Sequence, residues 1–372
     1  MLQSSPRIRV ALDAHAVGRR MTGNETYVVN LADALAARPD IDLVTYLDAG
    51  RTWPHDPKPG SVRHLRLRAP QLRIPLELPF RAWRDGADLL HVQYVAPITP
   101  LPIVTAVHDV SFEDLPDVFS RVTTMRLKVS IRDSVRRSRA VLALSGFTRD
   151  RILHHYGVRP EKVIVAPAGV SGRWRRIDEG VVDDRLAPLR LPPRFVLAVG
   201  NLHPRKNIPR LVRSVARLRS AGADDIGLVV AGQPSWRADD VVDAIRQVAG
   251  EDWVTLTGYI TDEVLEALYN RAHIVAYPSL YEGFGLPVAE ALAIGAVVVA
   301  SDSTSIPEVA GDAALLVDST DDEALSQGLI RAATDDALRT RLQVAGPERA
   351  ASLTWDACAA ASIEGYRVAL GG

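Results

Sequence analysis

The sequence predicts an α/β protein built from two doubly wound, Rossmann-like domains that face a central cleft. Three observations carry this reading. At 372 residues the chain exceeds the usual size of one domain. Short runs rich in Val, Ile and Leu alternate with longer amphipathic segments, the rhythm of βαβ units in a parallel sheet. Near the middle, Asp178–Pro193 is an acidic stretch closing in Leu-Pro-Pro, which reads as a linker because proline interrupts helix and sheet alike. The domains are accordingly drawn as residues 1–188 and 189–354.

In the first domain the apolar runs place strands at Ile8–Ala11, Leu43–Tyr46, Leu89–Gln93, Ile103–Val107, Val141–Leu144 and Val163–Ala166. In the second they fall at Phe195–Val199, Ile226–Ala231, Val254–Thr257, Ile274–Tyr277 and Ala296–Ala300. Helices are expected between them, among others at Asn24–Ala37, Pro209–Ser220 and Pro287–Ile294. In doubly wound sheets, ligands bind at the carboxyl ends of the strands, so the loops there are the places to look.

Composition narrows the function classes. Hydrophobic residues make up 47% and charged residues 24%, ordinary globular usage. The net charge of -1 gives no global pointer to nucleic acid, but it is unevenly split. Residues 1–188 carry 28 Lys+Arg against 21 Asp+Glu, a net +7, and the remainder 16 against 24, a net -8. A basic first half suits an anionic partner or surface, and its Arg-rich stretches Arg63–Arg84 and Arg121–Arg139 raise peripheral membrane contact; chance division of solvated faces is the alternative. The single cysteine, Cys358, excludes a disulfide framework and fits a reducing compartment. Met1–Pro6 has no apolar stretch of signal-peptide length, and no run approaches 18 apolar residues, so the expectation is a cytoplasmic protein.

Two loops carry the chemistry. Gly200-Asn201-Leu202-His203-Pro204-Arg205-Lys206-Asn207 follows one strand and precedes a helix, with Asn207 expected as N-cap and Pro209 in the first turn. A helix N-terminus attracts anions, and Arg205 with Lys206 adds a forked donor and a point charge, a combination suited to a diphosphate. A solvated Arg-Lys pair on a surface loop is the plainer alternative. Tyr281-Glu282-Gly283-Phe284-Gly285-Leu286-Pro287-Val288-Ala289-Glu290 repeats the strand-to-helix arrangement. Its glycines permit close backbone approach, and Glu290, one turn into the helix, can lean back to accept hydrogen bonds from a vicinal diol such as a ribose. Glu282 sits in the loop, where it can bind sugar hydroxyls; a capping Glu and a helix-dipole Glu would explain both acids more simply. Acting as a glycosidase pair is disfavoured, since such acids usually come from different elements and need no anion-binding turn.

In the first half, His91 and His108-Asp109 end strands and so point to the cleft side, though a strand-end histidine is often structural. Thr22-Gly23-Asn24-Glu25 offers backbone N–H groups from the loop after the first strand. No His or Cys cluster has metal-ligand spacing. The one Asp-x-Asp, Asp40-Ile41-Asp42, is explained as turn acids, and no metal site is expected.

Taken together these residues resemble the family 4 retaining glycosyltransferases, with the two-domain glycosyltransferase B fold. The resemblance runs over nearly the whole chain and is most specific in the Glu-x7-Glu spacing of Glu282 and Glu290. Gly200–Asn207, His108-Asp109, Leu144-Ser145-Gly-Phe147-Thr148, Asp302 to Glu308 and Thr354-Trp355 are similar too. It implies that Arg205 and Lys206 bind the donor diphosphate together with the backbone of Gly283, Phe284, Gly285 and Leu286. Gly200 and Asn201 belong to the same donor loop. It implies further that Glu282 holds the transferred hexose, Glu290 the ribose, Tyr259 the base, and that His108 lies beside the reacting sugar. The last helix, in 355–372, is then expected to cross back onto the first domain. Gly23, Asn24 and Ser145 are candidates for an acceptor or phosphate loop, but Gly23 is the single glycine matched where the family has a glycine-rich run.

The implied co-substrate is a GDP- or UDP-linked sugar, with no other cofactor, and the acceptor a glycan, a lipid-linked or a small molecule. The resemblance implies retention, and with no evident nucleophile among the carboxylates near His108 it favours front-face displacement assisted by the departing phosphate over a covalent intermediate. A nucleotide-sugar epimerase of the same fold, which needs no acceptor, and a non-catalytic sugar or nucleotide binder are the other readings.

Overall fold

A computed structural model describes residues 7–19, 22–56, 58–67, 69 and 72–371. The terminal segment Met1–Pro6 lies outside them, as do Arg68 of the first arginine-rich stretch and the final Gly372. The chain divides into two compact units. Unit 1 holds residues up to Pro116, Ser120–Gly169 and everything from Thr354 on; unit 2 holds Val170–Leu353 with the short piece Asp117–Phe119.

Unit 1 is a seven-stranded parallel sheet of β1 (Ile8–Asp13), β2 (Ile41–Leu47), β3 (Ser61–His64), β4 (Leu89–Gln93), β5 (Ile103–Val107), β6 (Ala140–Ala143) and β7 (Val163–Val165), in the order β3-β2-β1-β4-β5-β6-β7. Unit 2 is a six-stranded parallel sheet of β8 (Arg194–Val199), β9 (Ile226–Ala231), β10 (Val254–Gly258), β11 (Ile274–Tyr277), β12 (Val298–Ser301) and β13 (Leu315–Val317), ordered β10-β9-β8-β11-β12-β13. The inner strands are buried along their length, with β4, β5, β9 and β11 closed to solvent at every residue. Helices on both faces of a parallel sheet require this, and it explains why these strands read as unbroken apolar runs. The strand order reverses between β1 and β4 in unit 1 and between β8 and β11 in unit 2, and a crevice forms where it reverses.

The eleven expected strands are present. The two that sequence reading omits, β3 and β13, are edge strands. β3 reads Ser-Val-Arg-His and is mostly exposed, and β13 is three residues long, so neither produces an apolar run.

The linker expected at Asp178–Pro193 is corrected. Asp178 caps a helix, Glu179–Leu186, by accepting from Gly180 N. That helix lies on Asp262–Arg271 through Arg185 Nη1 to Glu266 Oε2 at 2.6 Å and an Arg271–Asp183 pair. Residues 170–188, assigned from sequence to the first domain, therefore fold with unit 2. The closing helix Trp355–Leu370 packs in unit 1, against helix Thr22–Ala36 and strands β5 to β7. A Cβ on Gly365 of that helix would stand 2.7 Å from Leu142 of β6, so glycine lets the helix lie close to the sheet.

Candidate active site

In unit 2 the two loops read from sequence leave β8 and β11, the strands flanking the order reversal. Gly200 has φ +138, and a Cβ there would stand 3.0 Å from Lys206 Cε, so the bare backbone leaves the lysine its path. Residues Pro204–Lys206 form a single 3-10 turn with His203 Nδ1 accepting from Arg205 N at 3.3 Å. Asn201 steadies the loop from the other side, its Oδ1 accepting from Gln233 N at 3.3 Å.

Asn207 precedes helix Ile208–Ser220 but does not cap it with its side chain, which corrects the sequence expectation. Its backbone is left-handed, φ 59, and Nδ2 donates instead to Pro278 O at 3.2 Å and Ser319 O at 2.8 Å. The asparagine ties the β8 loop to the segment after β11.

These constraints bring Arg205, Lys206 and Glu282 together. Arg205 Nη1 lies 2.9 Å from Glu282 Oε2 and donates to Tyr281 O at 2.9 Å. Lys206 Nζ donates to Glu282 Oε1 at 2.6 Å and to Tyr277 Oη at 2.5 Å, and sits 4.5 Å from the centre of the Tyr277 ring. Burial alone would raise the Glu282 carboxyl, but the two cations outweigh it and hold it down at about 2. The cluster is thus two cations and one anion at physiological pH, with one positive charge in excess. Behind it, Ser305 Oγ donates to Glu282 O at 2.9 Å and Phe284 O at 3.0 Å, so the loop backbone is held from β12's side.

Gly285 opens helix Leu286–Ile294 in a left-handed conformation, φ +103, where a Cβ would meet Ile306 Cδ1 at 2.6 Å; Pro287 occupies the first turn. Glu290, on that helix, does not join the Arg-Lys cluster. It is 7% exposed, accepts from Tyr269 Oη at 3.1 Å, and burial pushes its carboxyl up to about 7. Tyr259, next to the end of β10, is 46% exposed.

In unit 1, His108 stands just past β5, 7% exposed, with its ring 4.6 Å from that of Tyr27 and 5.1 Å from that of Tyr94. Nε2 is buried without a hydrogen-bond partner, and burial lowers the ring to about 4, so the imidazole is neutral at pH 7. His91, on β4, is likewise buried with Nε2 unpartnered, but its Nδ1 pairs with Tyr366 Oη of the closing helix at 2.8 Å, which ties that ring into the core. Ser145 accepts from Thr148 N at 3.0 Å as the N-cap of helix Gly146–Tyr156, a capping role. Gly23 and Asn24 fall in the first turn of helix Thr22–Ala36, so this stretch is a helix start and not a loop.

Asn24 does line a cavity of about 130 Å³ where β1 and β4 end, together with Asp13, His15, Gln93 and Tyr94. His15 Nδ1 and Asp13 Oδ2 lie 2.8 Å apart, and each group favours the other's charged form. Sequence reading misses Asp13, His15 and Gln93. Their position at the two strands bordering the order reversal was the available signal.

Residues 21–171 match the family described as Glycosyltransferase Family 4, and residues 185–349 match Glycosyl transferases group 1. The chain is 29% identical to O-antigen chain mannosyltransferase B of Escherichia coli over 94% of its own length and 96% of the relative's. Against WbdA, a serotype-specific mannosyltransferase of the same organism, it spans 29% of the relative's length. Among solved structures, sucrose-phosphate synthase from Thermosynechococcus elongatus superposes with a TM-score of 0.77 at 22% identity, over 97% of this chain and 98% of that one. Anabaena HepE, solved in complex with UDP and glucose, gives 0.76 at 17% identity, over 96% and 99%. Two parallel α/β units, two matched domains and a relative aligned end to end agree: the chain belongs to the family 4 glycosyltransferases and has the glycosyltransferase B fold.

Proposed function

We propose that this glycosyltransferase is a retaining hexosyltransferase that moves a mannose- or glucose-type sugar from a GDP- or UDP-linked donor to a glycan, a lipid-linked or a small-molecule acceptor, without a divalent metal. The observation that carries the reading is the Arg205–Lys206–Glu282 cluster on the loops after β8 and β11. Its excess positive charge suits a nucleoside diphosphate, and the cations can stabilise the charge that develops on the leaving diphosphate, the service a metal gives in other transferases. Glu282 then holds hydroxyls of the hexose. Glu290, buried with one protein donor, takes the ribose diol, and Tyr259 the base. From unit 1 we assign His108 a contact to the reacting sugar, because a neutral buried imidazole with an unpaired nitrogen has one hydrogen bond to give or accept.

The mannosyltransferase relative favours mannose as the transferred sugar, and GDP-mannose is the first donor to try. The assigned workplace is the cytoplasm, at the inner face of the membrane, where the basic first half meets anionic lipid. A thermal-shift panel of GDP-mannose, UDP-glucose, GDP and UDP tests the donor site, since a ligand of the folded state stabilises it by mass action. One nucleotide pair should raise Tm by several degrees with excess chelator present. A panel with no shift overturns the donor site, and a shift that chelator abolishes and magnesium or manganese restores overturns metal independence. Donor turnover without any acceptor that yields an isomerised nucleotide sugar would favour the epimerase.

A further inference from the structure

Building on the membrane-side workplace proposed above, we propose that unit 1 docks on an anionic lipid bilayer by inserting two exposed apolar stripes flanked by basic side chains, one on residues 72–84 and one on the helix Arg121–Arg137.

The first stripe begins in the π-helical turn Arg73–Glu77 and continues through the helix Leu78–Arg84. Leu78 and Ala82 face the core at 0% exposure. The opposite side carries Leu72, Leu76, Phe80 and Trp83, at spacings of four, four and three, exposed at 49%, 59%, 57% and 59%. Water-facing positions of a helix ordinarily hold polar residues, so four large apolar groups in one line mark a surface meant to be covered. The one acid of the segment is withdrawn from that face. Glu77 accepts from Arg66 N and Leu67 N at 2.7 Å each and from Arg81 Nε at 2.7 Å.

The second stripe lies on a helix that buries Thr124, Ile131, Ser134 and Val135 and exposes Val122 at 80%, Met125 at 65% and Val129 at 62%. Arg121, Arg126, Lys128, Arg132, Arg136 and Arg137 accompany it, against Asp133, which Arg137 already binds at 2.5 Å. The segment 94–98 joins the two. Ala96 N donates to Ser134 Oγ at 2.9 Å, and Arg137 donates to Ala96 O at 2.6 Å and Pro97 O at 2.9 Å. On its other side Ala96 packs in the cluster with Leu78 and Ala82. Ile98, 83% exposed, lies on this connecting piece.

Apolar groups in helical register with long cationic side chains beside them match a bilayer interface, where the apolar part enters the acyl boundary and the guanidinium groups stay among the phosphates. Positive charge, with the nearby acids already paired, selects anionic headgroups. Insertion distinguishes this from attraction by charge alone, because part of the binding must survive high salt.

Flotation of the full chain with phosphatidylglycerol–phosphatidylethanolamine vesicles, set against phosphatidylcholine, tests it. Binding should favour the anionic vesicles, and a fraction should persist at high salt. The pair Leu76→Gln with Phe80→Gln, or the triple Val122→Gln, Met125→Gln and Val129→Gln, should lower partitioning about ten-fold or more at any salt. Arg126→Gln with Arg132→Gln should lower only the salt-sensitive part. The nucleotide-induced thermal shift, unchanged in all of them, controls for folding. Trp83 emission should move to the blue on anionic vesicles, and Trp83→Phe should remove that signal while binding continues. Equal partitioning of the glutamine variants and the parent overturns insertion, as does absence of binding to anionic vesicles. Concentration-dependent self-association in light scattering, lost in the same variants without lipid present, would instead make a second copy the occupant and overturn the proposal.

Discussion

The loop at Glu282 and the helix turn at Glu290 set the same side chain, almost equally buried, in opposite states. Glu282 is 6% exposed and held at about 2 because Arg205 and Lys206 overcome the cost of burying its charge. Glu290 is 7% exposed and sits near 7 because a tyrosine hydroxyl is a poor substitute for the water it has lost. Burial, then, does not decide what a glutamate does here; its company does. The first is a permanent anion that organises two cations. The second is an acceptor with capacity to spare, which a ligand's hydroxyls can stabilise as the anion.

The comparison breaks most visibly at Glu282. Glu282→Gln should lower kcat by about 10²-fold or more, the scale of losing one group that acts in the transition state. It should also leave two cations partly buried without their anion. We expect a stability loss of about 2–4 kcal/mol in the free protein, largely recovered when a nucleoside diphosphate supplies negative charge. Its affinity for that diphosphate should hold or rise. Steady-state kinetics beside denaturant titration with and without GDP and UDP check this. A variant that loses kcat and diphosphate affinity in equal measure would mean Glu282 serves binding alone.

Removing a cation should act in the other direction. Arg205→Ala or Lys206→Ala should weaken nucleoside-diphosphate binding by about 1.5–3 kcal/mol each, the scale of a charge-assisted hydrogen bond. Lys206→Ala should cost more of the two in stability, because its side chain is the more buried, 11% exposed against 22% for Arg205. Isothermal titration with GDP and UDP reads the affinities, and unchanged values in both variants would remove the donor site from this cluster.

How far the sequence foretells this pair follows from where each neighbour comes from. Arg205 and Lys206 were legible because a strand-loop-helix junction with two adjacent cations announces itself locally, and so was the Glu-x7-Glu spacing. Their meeting with Glu282 was readable only through the resemblance, since 76 residues separate Lys206 from it. Tyr269 and Tyr277 gave no signal, being one aromatic in an ordinary amphipathic helix and the last residue of a buried strand. The sheets were legible because buried parallel strands must be apolar throughout, whereas β3 and β13 at the edges had no such obligation. The helix Glu179–Leu186 was mistaken for linker because its acidic surface and following prolines look like one. Its anchoring by Arg185 to Glu266 spans 81 residues.

Glu290 sharpens the comparison through pH, with smaller effects. Its carboxyl titrates near 7 in the folded chain and at an ordinary 4.5 when unfolded. Between those values the folded state keeps a proton that the unfolded state has lost. Stability therefore falls as pH rises through that window, and the full cost stands above pH 7. Glu290→Gln removes the charge, so the variant should be more stable than its parent at pH 8, by no more than about 3 kcal/mol, and indistinguishable from it at pH 4. The same change should raise the donor KM more than it lowers kcat. A nucleotide sugar, whose phosphates do not titrate in this range, should bind the parent more tightly as Glu290 ionises, by roughly five- to ten-fold between pH 6 and pH 8. The glutamine variant should show a flat profile over that interval. Parent and variant profiles of the same slope would place the titrating group elsewhere and leave Glu290 a buried acid of the helix, without a part in holding the ribose.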